Sequence, residues 1–117
     1  MIVMDLASQR QAPDVDKQPQ IVFVCWRLFE VARAQYCLTG IVPELMVLRI
    51  TSLIKAFDPA LRTWTTRSGR MYETPGQPTR DSALRADMLR LACASGIPGD
   101  IHDVSDEVWT AMQRAVH

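Results

Sequence analysis

The patterning of this chain predicts a mainly α fold: a small domain of about four helices with one short β-hairpin at about residues 61–74. Three observations lead there. Apolar residues recur at helical spacing in four segments, 20–39, 43–57, 81–94 and 105–116. One patch, 62–74, is instead rich in residues that favour strands. Proline and glycine fall mostly between these segments, where elements end. The division that follows is a flexible N-terminal arm, 1–19, and a single helical domain, 20–117.

Taken in order, Met1–Leu6 is a short apolar stretch, either an edge strand or a piece that docks on a partner. Ala7–Pro19 is polar, contains Pro13 and Pro19, and reads as a loose arm. From Gln20 to Thr39, a projection at 100° per residue puts Ile21, Val24, Leu28, Val31 and Leu38 on one face. Cys25, Phe29, Ala32 and Tyr36 widen that face beyond what one contact covers. Arg27, Glu30 and Arg33 leave only a narrow polar stripe. A helix apolar most of the way round must be covered on two sides. Either a second chain covers it or the terminal segments fold back over it.

Gly40 ends this helix in the left-handed position. Pro43 and Glu44 suit the start of the next, whose apolar face is Met46, Ile50, Leu53, Ile54 and Phe57. Asp58-Pro59 stops it. Arg62–Thr66 and Met71–Thr74 are strand candidates joined by the three residues Arg67, Ser68 and Gly69, with Gly69 left-handed. In that register Trp64 faces Tyr72. Thr79 or Asp81 caps a helix to about Ala94 with Leu84, Met88, Leu91 and Ala92 as its apolar face. Asp103 or Ser105 caps the last helix, with Val108, Trp109, Met112 and Val116 turned inward.

At 117 residues the chain is one domain's worth. Thirteen basic residues balance thirteen acidic ones, which removes any whole-chain attraction to nucleic acid or anionic lipid. Three cysteines, Cys25, Cys37 and Cys93, fit neither a disulfide framework nor a zinc site. They point to reduced thiols and a cytoplasmic location. Met1–Leu6 has no signal-peptide pattern, and the run Ile21–Phe29 is too short to span a bilayer, so no membrane partner is expected.

Catalytic chemistry finds no support. Asp100, His102 and Asp103 lie too close together in one turn to surround a metal. A Cys93–His102 pair has no marked orienting group. Phosphate-loop, nucleophile-elbow and zinc-helix motifs are absent. We expect no enzyme, no cofactor and no metal.

Two function classes remain. The first is a small non-enzymatic protein-binding module, a homodimeric regulator that occupies a partner protein's surface in the manner of an antiactivator or inhibitor. Its interface would comprise Ile21, Val24, Cys25, Leu28, Phe29, Ala32 and Tyr36. The second is a nucleic-acid-associated protein, phage or transcription-related, using an arginine and aromatic hairpin. Arg62, Trp64, Arg67, Arg70, Tyr72 and Arg80 would meet an anion or an acidic partner. Leu84–Trp109 also has a helix-turn-helix outline, but Asp100, Asp103, Asp106 and Glu107 would face phosphates. Arg70–Gly76, followed by a helix ending at Leu91-Ala92 and by Gly96-Ile97-Pro98, resembles the later part of some phage small terminase subunits. Their amino-terminal DNA-binding helices have no counterpart here, and neither function class rests on that resemblance.

Overall fold

The computed structural model describes residues 3–4, 20–95 and 100–116. The expected arm at 1–19 and the Gly96–Gly99 helix stop therefore lie largely outside the described residues. Within them the chain is mainly β, with nine strands and two helices. This corrects the four-helix expectation, and with it the helical character given to the binding module.

β1 (Val3–Met4), β2 (Gln20–Val22), β3 (Val24–Ala32), β4 (Gln35–Val42) and β5 (Val47–Ile50) come first. β6 (Ile54–Asp58), β7 (Thr63–Thr66) and β8 (Met71–Glu73) follow. α1 (Ser82–Ala94), β9 (His102–Asp103) and α2 (Ser105–Val116) complete the chain. One sheet runs β1-β5-β4-β3-β9 and the other β2-β8-β7-β6. They share chain at two corners. β2 turns into β3 through Phe23, whose N–H bonds Glu73 O at 2.8 Å, and β5 turns into β6 through Thr51–Leu53. The meander β3-β4-β5 thus continues as β6-β7-β8, and β8 returns parallel to β2.

The supposed first helix is β2, β3 and most of β4. Its apolar breadth has a different cause from the one expected. A strand buried on both faces reads as an almost continuous apolar run. Trp26, Leu28, Leu38 and Val42 point into the space between the sheets, with Ile21, Phe23, Trp64 and Tyr72. Phe29, Val31, Cys37 and Ile41 point the other way, onto Leu84, Met88, Leu91 and Ala92 of α1. A bulge at Cys25, which takes φ 52°, shifts register between Val24 and Arg27 and flips the parity of the inward face. Gly40 is mid-strand, not a helix stop: a Cβ there would stand 2.4 Å from the Phe23 ring, so glycine is what lets that ring pack into the corner.

The supposed second helix lasts one turn. Pro43–Met46 curls so that the N–H groups of Leu45 and Met46 both reach Val42 O. Met46 then enters the left-handed region at φ 51°, and the chain leaves as β5.

The remaining local readings match the fold. Thr66 N–H bonds Arg70 O at 2.9 Å across the loop Arg67–Gly69, Gly69 has φ 90°, and Trp64 pairs with Tyr72. α1 is capped by the Asp81 side chain, which accepts from Leu84 N–H at 2.8 Å, and it buries Leu84, Met88, Leu91 and Ala92. α2 places Met112, Val108 and Trp109 against the inner core; the side chain expected at Val116 lies outside the described residues. Val3–Met4 is an edge strand, parallel to Val47–Leu48. No helix is long and apolar enough to cross a membrane among the described residues.

Candidate functional site

The inner space of the two sheets opens at one end, and the opening follows from a divergence of strands. β4 and β5 stay paired from Val42↔Val47 to Thr39↔Ile50, and Thr51 N–H still reaches Leu38 O at 2.9 Å. The chain then bends through Ser52 and Leu53 to join β7 instead. Among the described residues, Gln35–Cys37 of β4 and the whole of β6 pair on one side only. Between these two free edges lies a cavity of about 350 Å³. Ala34 and Tyr36 stand on the β4 side, Ile54, Lys55 and Phe57 on the β6 side, and Trp64 on the floor.

Several features fix this mouth. Phe57 lies opposite Trp64 in the β6–β7 ladder, with ring centroids 3.9 Å apart and planes 30° apart. The Trp64 indole N–H bonds Thr74 Oγ1 at 2.9 Å, so the ring cannot swing. Behind it Trp26 (5.9 Å) and then Trp109 (6.3 Å) continue a line of aromatic rings through the core. The β6 bulge, between Ile54 and Ala56, turns Ile54 and Phe57 inward and leaves Lys55 and Ala56 exposed. Lys55 is the charged residue of the lining. A concave, apolar, aromatic-walled opening with one cation suits non-covalent binding.

The residues expected at a partner interface are placed otherwise. Ile21, Leu28 and Phe29 are buried by the chain's own sheets and helices, and Val24 packs beside them on the α1 side. Cys25 is exposed at the bulge, and Ala32 is half-buried at the end of β3. Leu28 and Tyr36 reach the mouth. Within one chain, α1 covers one face of this stretch and β6–β8 with α2 cover the other.

The arginine and aromatic set does not assemble into a stacking platform. Trp64 and Tyr72 are 3% and 6% exposed, too little for a base to stack on either. Arg62 lies over the Trp109 ring at 4.8 Å and donates to Pro75 O at 2.9 Å. Arg70 is buried. Arg67 and Arg80 alone of the four are exposed. No group of three or more metal-binding side chains occurs among the described residues.

One polar cluster escaped the sequence reading. Arg27, assigned to a solvated stripe, is 1% exposed. Its Nε and Nη2 grip the two Asp103 carboxylate oxygens at 2.9 and 3.1 Å, Nη1 donates to Thr79 O at 2.9 Å, and Asp106 lies at 3.3 Å. Burial raises Asp103's affinity for its proton, yet Arg27 and the Ser105 hydroxyl and N–H outweigh it and hold the carboxyl below the usual aspartate range. Ser105 Oγ also accepts from Leu28 N–H at 2.7 Å. Arg27 and Ser105 are buried while Asp103 is half-buried and Asp106 reaches the surface; the cluster fastens β9 and α2 to β3. The Cys37 thiol is out of reach: burial pushes it up to about 12, so it stays a protonated, inert thiol.

Lys55 and Phe57 were also missed as site residues, because a helical projection put Phe57 on an apolar core face and left Lys55 off it; the strand-favouring Ile54 and Phe57 just before Asp58-Pro59 were the available sign. No family model, curated protein or solved structure matches this chain.

Proposed function

We propose that the protein is a non-catalytic binding module that holds a segment of another protein in the mouth between β4 and β6. One observation carries this reading: among the described residues, two strand edges without a partner flank an apolar cavity floored by the hydrogen-bonded Trp64 ring, with Phe57 against it. Free edges are normally covered or blunted, because their backbone groups invite pairing. Here they border a depression able to accept side chains, the combination that strand-adding recognition uses. A regulatory role through occupying that partner is the simplest use of such a module.

The test is site-specific photocrosslinking in the native host. A benzophenone side chain is placed at Ala34 or Ala56, beside the mouth, and for comparison at Arg80, which does not line it. The expected result is a discrete protein adduct from the mouth positions that Arg80 does not give. Identical adducts from all three, or none, would reject the reading. An adduct of twice the protomer mass would identify a second copy as the partner.

A further inference from the structure

We infer that the segment taken by the mouth is acidic and extended: it adds to β6 as a fifth strand of the second sheet, seats one apolar side chain between Tyr36 and Phe57, and sets a carboxylate against Lys55. This rests on the binding-module reading and states what kind of segment is bound.

Extension follows from the backbone. β6 presents five residues whose outer edge has no neighbour among the described residues. An added strand answers those groups with hydrogen bonds in a way that a helix cannot. The apolar anchor follows from the cavity, whose volume of about 350 Å³ is walled by Tyr36, Ile54, Phe57 and Trp64.

The acidic character follows from charge. Lys55 is exposed at the β6 bulge and is the charged residue of the lining. Arg33, next in the chain to Ala34, is exposed at the β3–β4 tip on the opposite rim. Two carboxylates adjoin lining residues in the chain, exposed Asp58 beside Phe57 and exposed Glu107 beside Val108, but neither lines the cavity, and Asp58 Oδ1 accepts from the N–H groups of Ala60 and Leu61 at 3.0 and 3.2 Å. A lysine and a bulge on an edge strand discourage indiscriminate pairing. An incoming strand overcomes that guard by bringing the opposite charge, since opposite charges across a strand pair attract and like charges repel.

The experiment uses capped synthetic pentapeptides with a central Leu, Phe or Trp, flanked by Glu, Gln or Lys. They are titrated into the full chain and followed by backbone amide shifts and tryptophan fluorescence. Glu-flanked peptides should bind about three- to tenfold more tightly than Lys-flanked ones, the range that attraction in one and repulsion in the other allow at an exposed, screened lysine. N-methylation of alternate peptide amides should abolish binding in one phase and spare it in the other, the mark of an added strand. Lys55→Glu, at an exposed site, should reverse the preference toward Lys-flanked peptides. Equal affinity for all three flanks, or indifference to N-methylation, would overturn the acidic-strand inference while leaving a binding module intact. If small amphipathic carboxylates shift the mouth resonances and no peptide does, the inference also fails. Failure of the crosslinking experiment, by contrast, would reject the module itself.

Discussion

The β3–β4 hairpin has two outer edges, and the molecule treats them in opposite ways. The β3 edge is closed. β9 pairs with it at only two positions, Phe29↔Asp103 and Glu30↔His102, so side chains supply much of the fastening. Arg27 grips Asp103 and Thr79 O, Ser105 Oγ accepts from Leu28 N–H, and Val104 N–H bonds Leu28 O. Among the described residues the β4 edge is open past Leu38, where β6 leaves to pair with β7. A closed seam with buried charges is intolerant of change; an open one lined by exposed residues has slack. That difference in tolerance separates the framework residues from those of the proposed mouth.

The largest expected effect is at the closed seam. Replacing Arg27 by Leu removes the buried guanidinium from the half-buried Asp103 carboxylate and from Thr79 O, and hydrogen bonds to a charged group contribute about 1.5–3 kcal/mol each. Arg27→Leu should therefore be strongly destabilised in urea. Asp106→Asn should lose under ~1 kcal/mol, because the Asp106 side chain is 65% exposed and such pairs are screened. Equal losses in the two variants would mean that Asp103 is not the principal partner.

Next is the corner where the two sheets share chain. Gly40→Ala introduces a methyl 2.4 Å from the Phe23 ring, and overpacking of that kind costs about 1–3 kcal/mol. Phe23→Leu added to Gly40→Ala should cost less than the sum of the single changes, because the residues share one space. Strict additivity in denaturation midpoints would remove the close approach as the reason for glycine.

The closed seam is also the acid-sensitive one. Asp103 has a lowered pKa in the fold, so its pairing contributes stability above about pH 4, the ordinary aspartate value. That contribution is lost as pH falls through the lower folded-state value. The urea midpoint of wild type should exceed that of Asp103→Asn at neutral pH, and the gap should narrow on acidification. A gap that widened toward low pH would reverse the sign and refute the assignment. In the same native protein a thiol reagent should modify the exposed Cys25 and Cys93 and spare buried Cys37.

What could be read from sequence divides along a related line. The hairpin at Thr63–Glu73 and both helices were legible because their signals are local: Gly69 at a three-residue loop, Asp81 three residues before Leu84, Asp106 and Glu107 in a first turn. β3 and β4 were not, because burial on both faces erases the alternation that marks a strand, and a helical projection then spreads the same residues into a wide stripe. β6 was obscured by its bulge, which sets Ile54 and Phe57 on one side at a helix-like spacing of three. Arg27 looked solvated because its partner lies 76 positions away. The mouth was invisible for the same reason: Tyr36 and Phe57 meet only after the sheets form.

The smallest expected stability effect belongs to the open seam, and it is the sharpest test of the contrast. Lys55→Glu and Ala56→Ser alter exposed side chains on an edge strand, where substitutions stay within about ±0.5 kcal/mol. Their urea midpoints should match wild type. Arg67→Glu at the hairpin tip should be equally silent, whereas Arg70→Glu, at a buried position, should not. If Lys55→Glu leaves the fold untouched yet changes what the mouth binds, β6 is kept open for a partner and not for stability. If it unfolds the protein as Arg27→Leu does, Lys55 belongs to the framework, and the two edges of the hairpin are not the opposites described above.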